Sequence, residues 1–90
     1  MDEKNLTNKI KNKLQSIISK PSYDLIASQI IFIKVTDTHW KIICPSEYIK
    51  EFVKQSYINL FKERDDLEEF HRSTQFDVIL IENFLVERTH

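Results

Sequence analysis

The stretch that decides the fold is WKIICPSEYIKEFVKQSYINLF, residues 40–61. Its first five residues, 40–44, are mostly apolar and predict a β-strand. Pro45 and Ser46 follow, and a serine placed just before a periodic apolar run is a typical helix N-cap. The apolar residues beyond it share one helical face: Ile49, Phe52, Val53, Tyr57, Leu60 and Phe61. The stretch therefore predicts a strand followed directly by an amphipathic helix.

The residues before this stretch predict two helices and a second strand. The apolar spacing over residues 6–18 is typical of one face of a helix, which Pro21 ends. Ser22 is then the expected N-cap of a short helix at residues 23–28. Residues 29–35 are β-branched and aromatic, and the polar residues 36–38 are expected to turn the chain into the strand that begins at Trp40. The two strands form a predicted hairpin with a loop of three or four residues.

The residues after the long helix predict one more strand. Residues 63–69 carry five carboxylates, for which a solvated helical turn is the expected role, and Leu67 and Phe70 are expected to return to the core. Alternation over residues 75–81 predicts the third strand. The last residues are either a short extension or a frayed end. The whole chain, 1–90, is thus predicted to be one α+β domain with the order α-α-β-β-α-β.

Composition excludes several classes of function. The chain has no glycine, which phosphate-binding loops of the Walker and dinucleotide types require, as does the GXXG loop of KH domains. The formal net charge of −1 argues against tight, non-specific nucleic-acid binding. No apolar run is long enough to span a bilayer, and the polar N-terminus does not resemble a signal peptide, so a cytoplasmic location without membrane contact is expected.

The titratable residues do not suggest catalysis or metal binding. The three histidines, His39, His71 and His90, are scattered and show no metal-ligand spacing. Cys44 is the sole cysteine, so no internal disulfide is possible, and its apolar neighbours predict a buried small hydrophobe. We therefore expect a non-enzyme with no catalytic residue, no metal, no cofactor and no small-molecule ligand. Tyr48, beside the apolar stripe at a helix start, is the one aromatic residue expected to be partly exposed.

Residues 40–61 resemble the N-terminal domain (domain I) of the bacterial chromosomal replication initiator DnaA. That family has a strand, a proline-containing turn with an aromatic residue, and a helix with an aromatic and a tyrosine at fixed steps, here Tyr48, Phe52 and Tyr57. The order of elements over residues 4–82 agrees with it as well. The resemblance implies a KH-like fold with helices on a three-stranded sheet. The chain departs from the family at residues 27–30, which read Ala-Ser-Gln-Ile where the family usually has a tryptophan and a proline.

The resemblance also implies a function, which is that of a protein–protein interaction module in bacterial replication initiation. Such a domain self-associates, helps to load the replicative helicase and docks replication regulators. The implied partner-binding residues are Tyr48, Asp24 and Glu47. Under this reading Trp40, Phe52 and Tyr57 are expected to be packed. A weak homodimer would use the first helix, through Leu6 and Ile10.

Two alternatives remain open at the level of sequence. The first is a KH-like domain that binds single-stranded nucleic acid weakly. It would use the lysines of the first and third helices, which are Lys9, Lys11, Lys13 and Lys50. This alternative predicts a contiguous basic surface and strongly salt-dependent binding. The second is a phage or mobile-element protein that mimics the initiator domain.

Overall fold

A computed structural model of the chain describes residues 3–63, 67, 68, 70 and 73–88, with side chains described from residue 7 to residue 86. Its first helix, α1, spans Glu3–Ile17. Ile10 and Leu14, four residues apart on one face of this helix, are fully buried. The helix begins three residues earlier and ends one residue earlier than predicted.

The second helix, α2, spans Lys20–Leu25 and is capped by Ser19, whose hydroxyl accepts a hydrogen bond from the Ser22 amide at 3.3 Å. The prediction of Ser22 as N-cap was therefore wrong. Pro21 lies in the first turn, where its missing N–H would have no helical partner, so it opens α2 instead of only ending α1. A short 3-10 turn, Ala27–Gln29, leads into the sheet.

The predicted hairpin is present, formed by β1 (Ile31–Thr36) and β2 (His39–Cys44). Thr36 pairs with His39, so the connection is two residues long and not the three or four expected. Two-residue loops usually need a positive φ, yet none occurs among the described residues. The strand register shifts between Lys34 and Thr36, and this irregularity accompanies the glycine-free turn.

The long helix begins as predicted, because the Ser46 hydroxyl accepts a hydrogen bond from the Ile49 amide at 3.3 Å. It comprises α3 (Glu47–Phe52), a π-helical turn (Val53–Tyr57) and α4 (Ile58–Glu63). In the π turn the amide of Ile58 bonds to the carbonyl of Val53, five residues back.

The third strand, β3 (Gln75–Leu80), pairs in parallel with β2, and the sheet order is β1-β2-β3. The structure thus confirms the α+β class, the three-stranded sheet and the predicted element order. A further helix, α5 (Ile81–Arg88), follows β3 directly, where only an extension or a frayed end was expected.

The core lies between the helices and one face of the sheet. Alternate residues of the strands point into it, including Phe32 of β1 and Trp40 and Ile42 of β2. Leu67 and Phe70 are buried, which confirms that the segment after α4 returns to the core. The remaining acidic residues of that segment, Asp65, Asp66 and Glu69, lie outside the described residues. The Phe70 ring meets Trp40 edge to face, with 5.0 Å between centroids.

Thr7 joins α1 to the outer edge of the sheet. Its hydroxyl donates to the carbonyl of Phe32 at 3.0 Å and accepts from the amide of Phe32 at 3.1 Å. Both partners are buried, so one side chain satisfies a donor and an acceptor that β2 does not reach. Among the described helices, none has the length and apolar character needed to cross a membrane.

Candidate partner-binding site

Tyr48 projects from the first turn of α3 and is 72% exposed. The Ser46 cap fixes the start of the helix, and the next residue after Tyr48, Ile49, is buried in the core. Because consecutive helical residues point about 100° apart, burial of Ile49 leaves Tyr48 at the surface. The predicted exposure of Tyr48 is confirmed.

Leu25, at the end of α2, is the second large apolar residue on this side of the molecule and is 67% exposed. Its neighbour Ile26 is buried. The N–H of Ile26 closes the helix by donating a hydrogen bond to the carbonyl of Ser22 at 2.9 Å. None of the six residues of α2 is fully buried, and Leu25 is exposed at the last position of the helix.

The spacing between α2 and the long helix is fixed by a hydrogen bond of 2.7 Å between the hydroxyls of Ser22 and Tyr57. The Tyr57 side chain is nearly fully buried, and its ring meets Phe52 edge to face at 5.3 Å. Burial raises the pKa of Tyr57, and the Ser22 hydrogen bond offsets part of that rise. The two helices are therefore held apart at a set distance.

Between them lies an apolar groove of about 350 Å³, which we call the α2–α3 groove. Its apolar lining is Pro21, Leu25, Ile26, Tyr48, Ile49 and Phe52. Tyr48 and Phe52 also line a shallower pocket on the outer side of α3, together with Glu47, Glu51 and Gln55. The two hollows thus meet at Tyr48 and Phe52 and form one continuous surface.

The structure brings Tyr48 and Glu47 together but places Asp24 apart from them. Asp24 pairs with Lys20 at 3.5 Å and lines a separate hollow with Gln15 and Tyr23. Asp24 is exposed and lies on α2, next to Leu25, so it flanks the groove without lining it. Ion pairs of this exposed kind contribute little to stability.

All four predicted DNA-contacting lysines have an interaction partner. Lys11 donates to the carbonyl of Ser28 at 2.7 Å, and partial burial lowers the pKa of its ammonium group. Lys50 is mostly buried and lies 3.9 Å from Glu47. Lys9 and Lys13 lie on α1 and also have interaction partners.

The structure contradicts one of the two predicted self-association residues. Ile10 is 0% exposed because it belongs to the core cluster, so its side chain cannot contact a second copy. This part of the prediction is corrected: Ile10 packs inward together with Leu14. The side chain of Leu6 lies outside the described residues.

Apart from Tyr48, sequence analysis assigned none of the groove residues to the site, Leu25 and Phe52 included. Phe52 was expected to be packed, yet it is only half-buried. The short length of the predicted second helix could have indicated an exposed apolar residue, because a helix of this length cannot bury every apolar side chain. Trp40 and Tyr57, by contrast, are buried as expected.

Other chemistry-bearing side chains do not converge in the described part of the chain. His39 Nε2 lies 2.8 Å from Asp77 Oδ2, in an exposed pair that joins β2 to β3. No group of three histidine, cysteine or acidic residues within residues 3–63, 67, 68, 70 and 73–88 could hold a metal ion. Cys44 is fully buried, which confirms its predicted role as a small core residue.

We expect the Cys44 thiol to be almost inert in the folded protein. Burial raises its pKa to about 11, with a smaller opposing effect from Lys50. At pH 8 the thiolate fraction is then about 100-fold lower than for an unperturbed thiol of pKa 9.0, so alkylation should slow by at least that factor. Because the folded state raises this pKa from 9.0 to about 11, it favours the neutral thiol. The resulting contribution to the free energy of unfolding is fully present below pH 9 and is lost as the pH rises through 11.

The measurement is iodoacetamide labelling at pH 8, with and without denaturing urea, followed by mass spectrometry. Because Cys44 is the only cysteine, every adduct reports on it. Equal rates in the two conditions would contradict the buried placement.

Comparisons with protein-family models, with curated proteins and with solved structures found no match to this chain.

Proposed function

We propose that the chain is a protein-interaction module that binds its partner through the α2–α3 groove. The observation that carries the proposal is the pair of exposed apolar side chains, Tyr48 and Leu25, at 72% and 67% exposure on the two walls of one apolar groove. Aromatic residues in such positions are frequent interface hot spots. A fixed groove also lowers the conformational cost of binding.

The partner segment that fits this surface is amphipathic, with apolar side chains for the groove and basic side chains for its outer margin. Both charged residues that line the outer pocket beside Tyr48 are carboxylates, Glu47 and Glu51. Glu47 is more exposed than the lysine it faces, since 63% of its side chain is accessible against 24% for Lys50. Glu51 lies 3.9 Å from Lys54, so a basic flank on the partner would be attracted mainly to Glu47.

The resemblance to the DnaA N-terminal domain supports a specific partner, the replicative helicase of a bacterium. In that family the aromatic residue of the turn motif contacts the helicase, and the matching residue here is Tyr48. The proposed role is thus recruitment of the helicase or of a replication regulator during initiation. Asp24 lies outside the groove lining, so it would contact the partner only beside the groove.

Replacing Tyr48 with alanine should weaken helicase binding by about 30-fold or more, the size expected when a central aromatic hot spot is removed. Biolayer interferometry with immobilised helicase would measure the change. Leu25→Ala should weaken binding as well, and Glu47→Lys should slow association most strongly at low salt.

The matched control is Val35→Ala, which removes an exposed apolar side chain from β1, outside the groove. It should leave the affinity unchanged. If the wild-type chain fails to bind helicase and instead binds single-stranded DNA with a steep salt dependence, the nucleic-acid alternative replaces this proposal.

A further inference from the structure

The two outer edges of the sheet are treated differently by the fold. At the β1 edge, the outward amide and carbonyl of Phe32 are both bonded to Thr7. Two residues further along, the register shift between Lys34 and Thr36 distorts the same edge. Side-chain capping and distortion of this kind prevent another strand from adding to β1.

The β3 edge has neither device among the described residues. The amide of Gln75 donates to the carbonyl of Thr38 at 2.8 Å. This bond shows which alternate residues of β3 direct their N–H and C=O groups towards β2. Gln75, Asp77 and Ile79 therefore direct their backbone groups towards β2. Phe76 and Val78 direct theirs away from the sheet, where no described strand lies.

A groove of about 400 Å³ follows this open edge. Its helical wall is formed by Lys54 and Ile58, and its other lining residues are the four consecutive strand residues 76–79. Phe76, Val78 and Ile79 are only half-buried, although residues of this kind in the middle of a sheet are usually fully buried. Within the described part of the chain, the edge thus offers outward-facing backbone groups with no neighbouring strand, together with apolar side chains, to an extended chain.

We propose that β3 pairs antiparallel with β3 of a second copy of this chain, with Val78 opposite Val78 at the two-fold axis. In this register Phe76 lies opposite Leu80, and Asp77 lies opposite Ile79 of the other copy. In this register each residue whose N–H and C=O point away from β2 lies opposite another such residue, so hydrogen bonds can form between the two copies. The neighbouring symmetric register would place Asp77 opposite Asp77, and directly opposed like charges are unfavourable.

Because the β1 edge is blocked, association stops at a dimer and does not continue into a longer assembly. A copy that can pair only through β3 forms a closed two-fold dimer with a six-stranded sheet, because no further strand can add at either end. This assigns self-association to β3 and not to Ile10 of the first helix, which is buried. The inference does not depend on the α2–α3 groove.

Sedimentation equilibrium of the wild-type chain over a range from about 10 µM to 1 mM should show a reversible monomer–dimer equilibrium. Ile79→Glu puts a carboxylate opposite Asp77 of the other copy and should raise the dimer dissociation constant at least tenfold. Adding Asp77→Lys to that variant converts both contacts to opposite charges and should restore dimerisation. A wild-type chain that stays monomeric up to 1 mM overturns the proposal.

Amide hydrogen exchange gives a readout that does not depend on any substitution. Exchange at Phe76 and Val78 should slow as the concentration rises, because these amides become bonded only in the dimer. The Phe32 amide is the internal control, since its bond to Thr7 protects it at every concentration. A dimer without added protection at Phe76 and Val78 also overturns the proposal. Tyr48→Ala should leave dimerisation unchanged, which separates this test from that of the groove.

Discussion

Replacing Phe61 with alanine should lower the free energy of unfolding by about 3–5 kcal/mol, which is the usual cost of removing a fully buried phenylalanine. Phe61 is 0% exposed and lies at the centre of the aromatic core. Its ring centroid lies 5.7 Å from Phe32, 5.2 Å from Phe70 and 5.7 Å from Phe76. These contacts join α4 to both outer strands and to the connection before β3. No single neighbouring element can therefore close the cavity.

Urea unfolding followed by circular dichroism would measure this loss, and for a domain of this size it represents much of the total stability. Phe61→Leu, which keeps most of the volume, should cost far less. Leu85→Ala is the surface control, because Leu85 is 55% exposed, and it should change stability by less than about 0.5 kcal/mol. A loss below 1 kcal/mol for Phe61→Ala would contradict the packing described here.

Replacing Thr7 with valine should cost about 2–4 kcal/mol, although the two side chains have nearly the same shape. The change deletes only the hydroxyl and leaves the buried amide and carbonyl of Phe32 without partners. Each orphaned buried group costs about 1–3 kcal/mol. The loss should appear as faster hydrogen exchange at the Phe32 amide and as a lower urea midpoint.

Thr7→Ser is the matched control, because it keeps the hydroxyl and removes one methyl group. It should retain most of the stability and the slow exchange at Phe32. If Thr7→Val and Thr7→Ser were equally destabilising, the effect would come from packing and not from the two hydrogen bonds.

Local sequence rules predicted the elements that have strong local signals. Ser46 could be identified as an N-cap because a proline, a serine and a periodic apolar run stand in sequence. Pro21 was harder, since the same residue that ends one helix can open the next, and the cap fell three residues earlier, at Ser19. The helix α5 was missed because it lacks a regular apolar stripe.

The candidate site was predictable only in part. The exposure of Tyr48 followed from its position beside an apolar stripe. The inward packing of Ile10 did not, because periodicity shows which residues share a face but not whether the core takes the whole face. The groove between Leu25 and Phe52 exists only because α2 docks beside α3, and no local pattern encodes that contact.

The π turn in the long helix has a consequence for the angular phase of its residues. Ile49, Val53, Tyr57 and Phe61 are all buried, and they are spaced by four residues throughout. In a continuous α-helix each such step advances by about 40°, so the last would be rotated about 120° from the first. The wider turn subtracts from this rotation and keeps the four side chains on one side. A single widened turn thus allows one helix to supply the core along its whole length while Tyr48 remains free at its start.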